Sequence, residues 1–149
     1  MLLLESYIYH KERVMLGKIE HIGIAVKDLT ASNELYKKLL GTAAYKQEEV
    51  TSENVITSFF KAGENKIELL AATDPDSSIA KFIDKRGEGI HHIAFAVEDI
   101  KIELARLEKE GFTILNKEPK RGADNKWIAF LHPKGTNGVL VELCQEIKE

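Results

Sequence analysis

From His21 to Val26 the chain alternates with a period of two, placing Ile22, Ile24 and Val26 on one face and His21, Gly23 and Ala25 on the other. This is the pattern of a strand whose second face carries a histidine among small residues. The following "DLTASNELYKKLLG" predicts a helix, with Asp28 or Thr30 as N-cap, Leu35, Leu39 and Leu40 at helical spacing, and Gly41 as the stop. Strand-like stretches come next at residues 43–50, 55–61 and 66–71, separated by turns such as "AGEN". The segment "TDPDSSIAKFIDKRGEG" predicts a linker with one short helix, capped by Ser77 or Asp76 and striped by Ile79, Phe82 and Ile83. The pattern then restarts. A strand over 92–97 leads into "EDIKIELARLEKEG", a helix capped by Asp99 and closed by Gly111, and strands are predicted at 112–118, 126–131 and 138–144.

Both halves therefore read β-α-β-β-β, and the match extends to individual residues. A shift of seventy-one lays His21 on His92, Ile22 on Ile93, Ala25 on Ala96, Val26 on Val97 and Asp28 on Asp99. Near the last strand of each half, "KIELL" lies on "LVELC" and Glu68 on Glu142 at a shift of seventy-four, a difference of three that a loop insertion supplies. Each half thus offers one His at the start of its first strand and one Glu within its last. A duplication of this length implies two paired modules, and a pseudo-twofold axis would bring all four side chains to one point.

Those residue types suit one chemistry. Two neutral imidazoles and two carboxylates offset a divalent cation, and their intermediate hardness fits Co²⁺, Mn²⁺, Ni²⁺, Zn²⁺ or Fe²⁺ better than Ca²⁺ or a thiolate site. Four protein ligands on a six-coordinate ion leave two positions for a substrate with two oxygens, where the ion would act as a Lewis acid on a developing enolate. The strand register selects His92, which shares a face with Ala94 and Ala96, and assigns His91 to the opposite face in a packing or surface role.

Composition narrows the remaining possibilities. At 149 residues the chain can bury a core without staples, and 44% hydrophobic with 30% charged residues is ordinary for a globular domain. A net charge of −3 with both signs interspersed offers no footprint for nucleic acid. Cys144 is the single cysteine, so no intrachain disulfide forms; a buried apolar role and a cytoplasmic setting are expected. The opening "MLLLESYIYHKERVML" is too interrupted for a signal peptide or a membrane span, and residues 1–17 are read as an N-terminal extension.

The stretches "EHIGIAV", "PDSSIAKFIDKRGEGIHHIAFAV" and "FLHPKGTNGVLVELCQ" resemble the vicinal oxygen chelate superfamily, the glyoxalase fold, and within it the methylmalonyl-CoA epimerase family, over residues 18–146. The resemblance implies an α+β fold in which two pseudo-repeated βαβββ modules form one curved, mostly antiparallel eight-stranded sheet around a metal cavity. Its single domain would comprise module 1 over 18–72, a linker helix over 73–88 and module 2 over 89–146.

The resemblance also implies a metal held by His21, Glu68, His92 and Glu142, with Co²⁺ the leading choice, and epimerisation at C2 of a malonyl-type thioester through an enediolate. Glu142 would be one acid/base, since epimerisation needs one on each face of C2. Some relatives place a second Glu on the third strand; this chain has Thr57 there, leaving Glu48 and Glu49 as nearby candidates. Lys120, Arg121 and Lys134 are the candidate contacts for an acyl-CoA. A homodimer without membrane or nucleic-acid partners is expected. Isomerisation of a glutathione hemithioacetal, as in lactoylglutathione lyase, and non-catalytic small-molecule binding are the alternatives.

Overall fold

The computed structural model describes residues 16–148. The expected N-terminal extension therefore lies outside the described residues except for Leu16 and Gly17. The first module runs β1 (Ile19–Ala25), α1 (Leu29–Leu40), β2 (Lys46–Val50), β3 (Val55–Ala62) and β4 (Asn65–Ala72). A connecting helix, α2 (Ser78–Arg86), leads to β5 (Gly89–Ala96), α3 (Ile100–Lys109), β6 (Lys120–Gly122), β7 (Lys126–Leu131) and β8 (Val141–Glu146).

The repeat read in the sequence is a repeat of topology. One sheet carries the eight strands of the described residues in the order β2-β3-β4-β1-β5-β8-β7-β6. The antiparallel β1–β5 pair lies at its centre, each member flanked by the parallel last strand of its own module, β4 or β8. The remaining pairs are antiparallel. Equivalent caps start equivalent helices: Asp28 accepts from Ala31 N at 3.0 Å, and Asp99 Oδ1 accepts from Lys101 N and Ile102 N at 3.1 and 3.2 Å. Gly41 closes α1 at φ 75°, a left-handed turn that a side chain would strain, with its N–H on Lys37 O.

The helices cover the outer face of the sheet. Leu29, Tyr36 and Leu40 of α1 pack on Val26, Phe60, Leu69 and Ala71. Buried Ile100, Leu104 and Leu107 of α3 pack on Val97, Ala129, Leu131 and Leu143. The stripe predicted for α1 is thus partly misplaced: Leu35 and Leu39 are 62% and 70% exposed, because the helix is rotated to bury Tyr36 and Leu40. The smaller α2 inserts Ile79 against Ala25 and Val55 at one end of the sheet.

The strand predicted at 112–118 is not formed. A single bridge, Ile114 to Leu131, marks its place. Asn116 occupies the next ladder position with its side chain, Oδ1 accepting from Phe130 N at 2.8 Å and Nδ2 donating to Ile128 O at 3.3 Å. Pro119 then lacks an N–H, and regular pairing resumes only at Lys120. The basic run 117–126 becomes the β6–β7 hairpin, whose turn residues Asp124 and Asn125 both have positive φ, 60° and 55°.

The curvature of the sheet brings its two edge strands close enough for side chains to bridge them. Lys46 Nζ and Lys66 Nζ reach Asp124 at 2.6 and 2.8 Å, Asp124 N donates to Glu48 at 3.1 Å, and Lys120 Nζ meets Glu53 at 2.6 Å. No described helix is long and apolar enough to cross a membrane.

Candidate active site

The two central strands and their parallel neighbours aim four buried side chains at the interior. His21, Glu68, His92 and Glu142 are each 5% exposed. His21 Nε2 lies 2.9 Å from His92 Nε2 and 3.3 Å from Glu142 Oε2, while His92 Nε2 is 3.9 Å from Glu142 Oε1. Glu68 stands on the other side of the first imidazole, Oε2 being 2.9 Å from His21 Nδ1. His21, His92 and Glu142 each offer one possible ligand atom, and these atoms lie within 4.8 Å of one another.

The rings sit where they do because their neighbours leave room. A Cβ built on Gly23 would lie 2.1 Å from His92 Cε1 and 2.5 Å from Nδ1, so the imidazole occupies the space that any other residue at position 23 would fill. Phe130 closes another side, its ring edge-on to His92 at a centroid distance of 6.2 Å.

Charge in this cluster is uneven. Burial disfavours the His21 imidazolium, but hydrogen bonds with Glu20 and Glu68 and the fields of Glu68 and Glu142 outweigh it, raising its pKa to about 10. Burial first, then the fields of His21 and His91, drive His92 well below the ordinary imidazole value and keep it neutral. Burial pushes the Glu142 carboxyl up to about 8, against the pull of His21. With His21 cationic the contacts are satisfied when it donates from Nδ1 to the carboxylates and from Nε2 to His92 Nε2, and His92 donates from Nδ1 to His91 Nδ1.

A divalent cation fits this donor set. Carboxylates outnumber the single cationic imidazole, and the His21 Nε2 proton occupies the place where an ion would balance them. Two nitrogen donors held at roughly 2.1 Å and a right angle would stand about 3 Å apart, the spacing the two Nε2 atoms already have. His21, His92 and Glu142 would hold such an ion, with Glu68 beside them.

A cavity of about 330 Å³ opens beside His92, walled mainly by apolar side chains including Val55, Leu70, Ile79, Ile128, Phe130 and Leu140. Thr57 also lines it with a buried hydroxyl that has no hydrogen-bond partner among the described residues, and Lys120 and Glu53 stand at its rim. A larger hollow of about 860 Å³ is lined by charged side chains such as Lys18, Glu20, Lys66, Lys126 and Glu146 together with Ala96, Val97 and Cys144.

Several predicted site residues take other places. His91 does not face away from His92: it lines the cavity and touches the His92 ring, Nδ1 to Nδ1 at 3.0 Å, with Phe82 edge-on to it at 5.0 Å. Glu49 is on the exposed side of edge strand β2, and Glu48 is held by Asp124 N, so neither lines the cavity. Arg121 points outward over the Trp127 ring at 5.4 Å, because alternation along β6 turns only Lys120 and Gly122 inward. Lys134 is exposed in the short 3₁₀ turn Pro133–Gly135. Glu20, which the sequence reading missed, is buried against His21 Nδ1 at 3.3 Å and Lys66 Nζ at 3.3 Å. Strict alternation hid it, since it predicts the face opposite to His21.

A duplicated βαβββ sheet closed around such a cluster is the architecture of the Glyoxalase/Bleomycin resistance protein/Dioxygenase superfamily, whose family model matches residues 20–130. The ethylmalonyl-CoA/methylmalonyl-CoA epimerase of Cereibacter sphaeroides is 41% identical over 88% of this chain and 99% of its own. The mitochondrial methylmalonyl-CoA epimerase of Homo sapiens is 39% identical over 87% of this chain and 74% of its own. The solved Streptomyces coelicolor methylmalonyl-CoA epimerase in complex with 2-nitronate-propionyl-CoA superposes with a TM-score of 0.84 at 37% identity, covering 88% and 95% of the two chains. The chain belongs to the methylmalonyl-CoA epimerase family of this superfamily, and so to the isomerases.

Proposed function

We propose that this protein interconverts the C2 epimers of methylmalonyl-CoA with a divalent transition metal, Co²⁺ first among the candidates, held by His21, His92, Glu142 and Glu68. The observation that carries the reading is the convergence of His21 Nε2, His92 Nε2 and a Glu142 oxygen, with His92 also lining an apolar cavity, in a chain of this family. When bound, the ion supplies Lewis-acid stabilisation for the negative charge that develops on the substrate oxygens as the C2 proton leaves.

The chain's own side chains do the rest. The apolar wall receives the acyl group and excludes water, which strengthens every charge interaction at the reacting carbon. Glu142, buried beside that wall, carries a proton to or from one face of C2. Lys120 at the rim attracts the anionic end of an acyl-CoA once it releases Glu53. Assembly as a homodimer in the cytoplasm completes the proposal.

Proton NMR of methylmalonyl-CoA incubated with the protein in D₂O tests it. Loss of the C2 proton signal that requires metal and stops with chelator is the expected result. No exchange from protein that holds its ion, together with turnover of a glutathione hemithioacetal, would overturn it in favour of the lactoylglutathione lyase reaction. Lys120→Ala should raise KM several-fold with kcat nearly unchanged; an equal loss in kcat would place Lys120 at the chemistry instead.

A further inference from the structure

The residues immediately before the two ligand histidines share a backbone anomaly. On β1, Ile19 pairs with Phe95 and His21 with the adjacent Ala94, so Glu20 is an extra residue opposite that step. On β5, His92 pairs with Gly23 and Ile90 with Ile24, so His91 is the extra residue there. These are β-bulges, and the repeat relates them: the shift of seventy-one that lays His21 on His92 also lays Glu20 on His91 and the opposing Gly23-Ile24 on Ala94-Phe95. A bulge breaks the alternation of a strand and re-aims one side chain. Here each one turns a residue due to face the helices into the interior.

Both re-aimed side chains address the same atom of their neighbour. Glu20 Oε1 lies 3.3 Å from His21 Nδ1, and His91 Nδ1 lies 3.0 Å from His92 Nδ1. Each acceptor is itself fixed from behind, Glu20 by Lys66 Nζ at 3.3 Å and His91 by the Phe82 ring at 5.0 Å. The two Nε2 atoms are thereby left facing each other.

We propose that Glu20 and His91 are a pseudo-symmetric pair of positioning residues. Each accepts the Nδ1 proton of the following histidine, fixing its tautomer and ring angle so that the Nε2 lone pair is presented to the metal. The inference rests on the metal reading above. Glu68 shares the His21 Nδ1 contact at 2.9 Å, and when Glu68 serves the ion, Glu20 is the acceptor that remains on that nitrogen. Groups in this position tune ligand basicity, and losing one commonly costs 10–100-fold in metal affinity.

Cobalt provides a readout independent of turnover. In Co²⁺-loaded protein the Nδ1 protons of coordinated histidines give NMR signals far outside the ordinary range, and a hydrogen-bonded N–H exchanges slowly with water. Wild type should show two slowly exchanging signals, Glu20→Ala should lose that of His21 alone, and His91→Ala that of His92 alone. Each variant should bind Co²⁺ roughly 10–100-fold more weakly in chelator competition, with Glu20→Gln and His91→Asn, which keep an acceptor, recovering most of it. Wild-type affinity and both slow signals in the alanine variants would overturn this proposal alone. Failure of wild type to take up Co²⁺ or any other divalent transition metal would overturn the metal reading and this inference with it.

Discussion

A methyl group on Gly23 has nowhere to go except into the His92 imidazole, 2.1–2.7 Å from three of its ring atoms. Gly23→Ala should therefore bind Co²⁺ at least about 10-fold more weakly by displacing a ligand ring, while overpacking costs roughly 1–3 kcal/mol of stability. Co²⁺ titration and thermal melts of the variant check the two together; unchanged affinity would show that the ring does not need this space. Ser58 makes the opposite case on the next strand but one. Its hydroxyl is fully buried without a partner among the described residues, so removing it deletes a desolvated polar group, and Ser58→Ala should be at least as stable as wild type by urea denaturation. At this scale the sequence was legible where residue type sufficed, as with the two Asp caps and the four His and Glu positions. It was not legible for Thr57, whose lack of a partner depends on what the opposing wall offers.

The β6–β7 hairpin ties the two edges of the sheet together, and its hold depends on Asp124. Burial works against this carboxylate, but hydrogen bonds from Lys46 and Lys66 outweigh it and hold its pKa below the ordinary 3.8. A lowered pKa means stability that is present above the ordinary value and lost as pH falls through it and below. The two lysines are partly exposed, so the effect is modest, about 1 kcal/mol or less for each pair. The melting temperature of wild type should fall more steeply than that of Asp124→Asn between about pH 5 and pH 2; parallel curves would show that the clamp contributes nothing. The hairpin itself was readable from "GADNK", because two consecutive residues tolerant of positive φ mark such a turn. The missing strand at 112–118 was not, since "FTIL" has the composition of a strand and only the Asn116 side chain, bonded to Phe130 and Ile128, reveals the substitution for backbone pairing.

Across the whole molecule, the duplication places the buried carboxyl groups Glu68 and Glu142 beside the two histidines at its centre, and an ion bound there should stabilise their ionised form. Saturation with Co²⁺ at 100 times its Kd should stabilise the fold by about 2.7 kcal/mol, and chelator should reverse the shift in melting temperature. A melting temperature indifferent to both would mean that the native state has no preference for the ion. The sequence by itself determined the two βαβββ modules, their caps and the four polar residues at matching positions, because periodicity, capping and repetition are written in local order. Only the tertiary structure decided that Glu20 and His91 pack against the two histidines and that Glu48, Glu49 and Arg121 do not line the apolar cavity. A bulge is the mismatch of one strand's count against its neighbour's, and a cavity is the space several strands leave between them, so neither exists until the strands have paired.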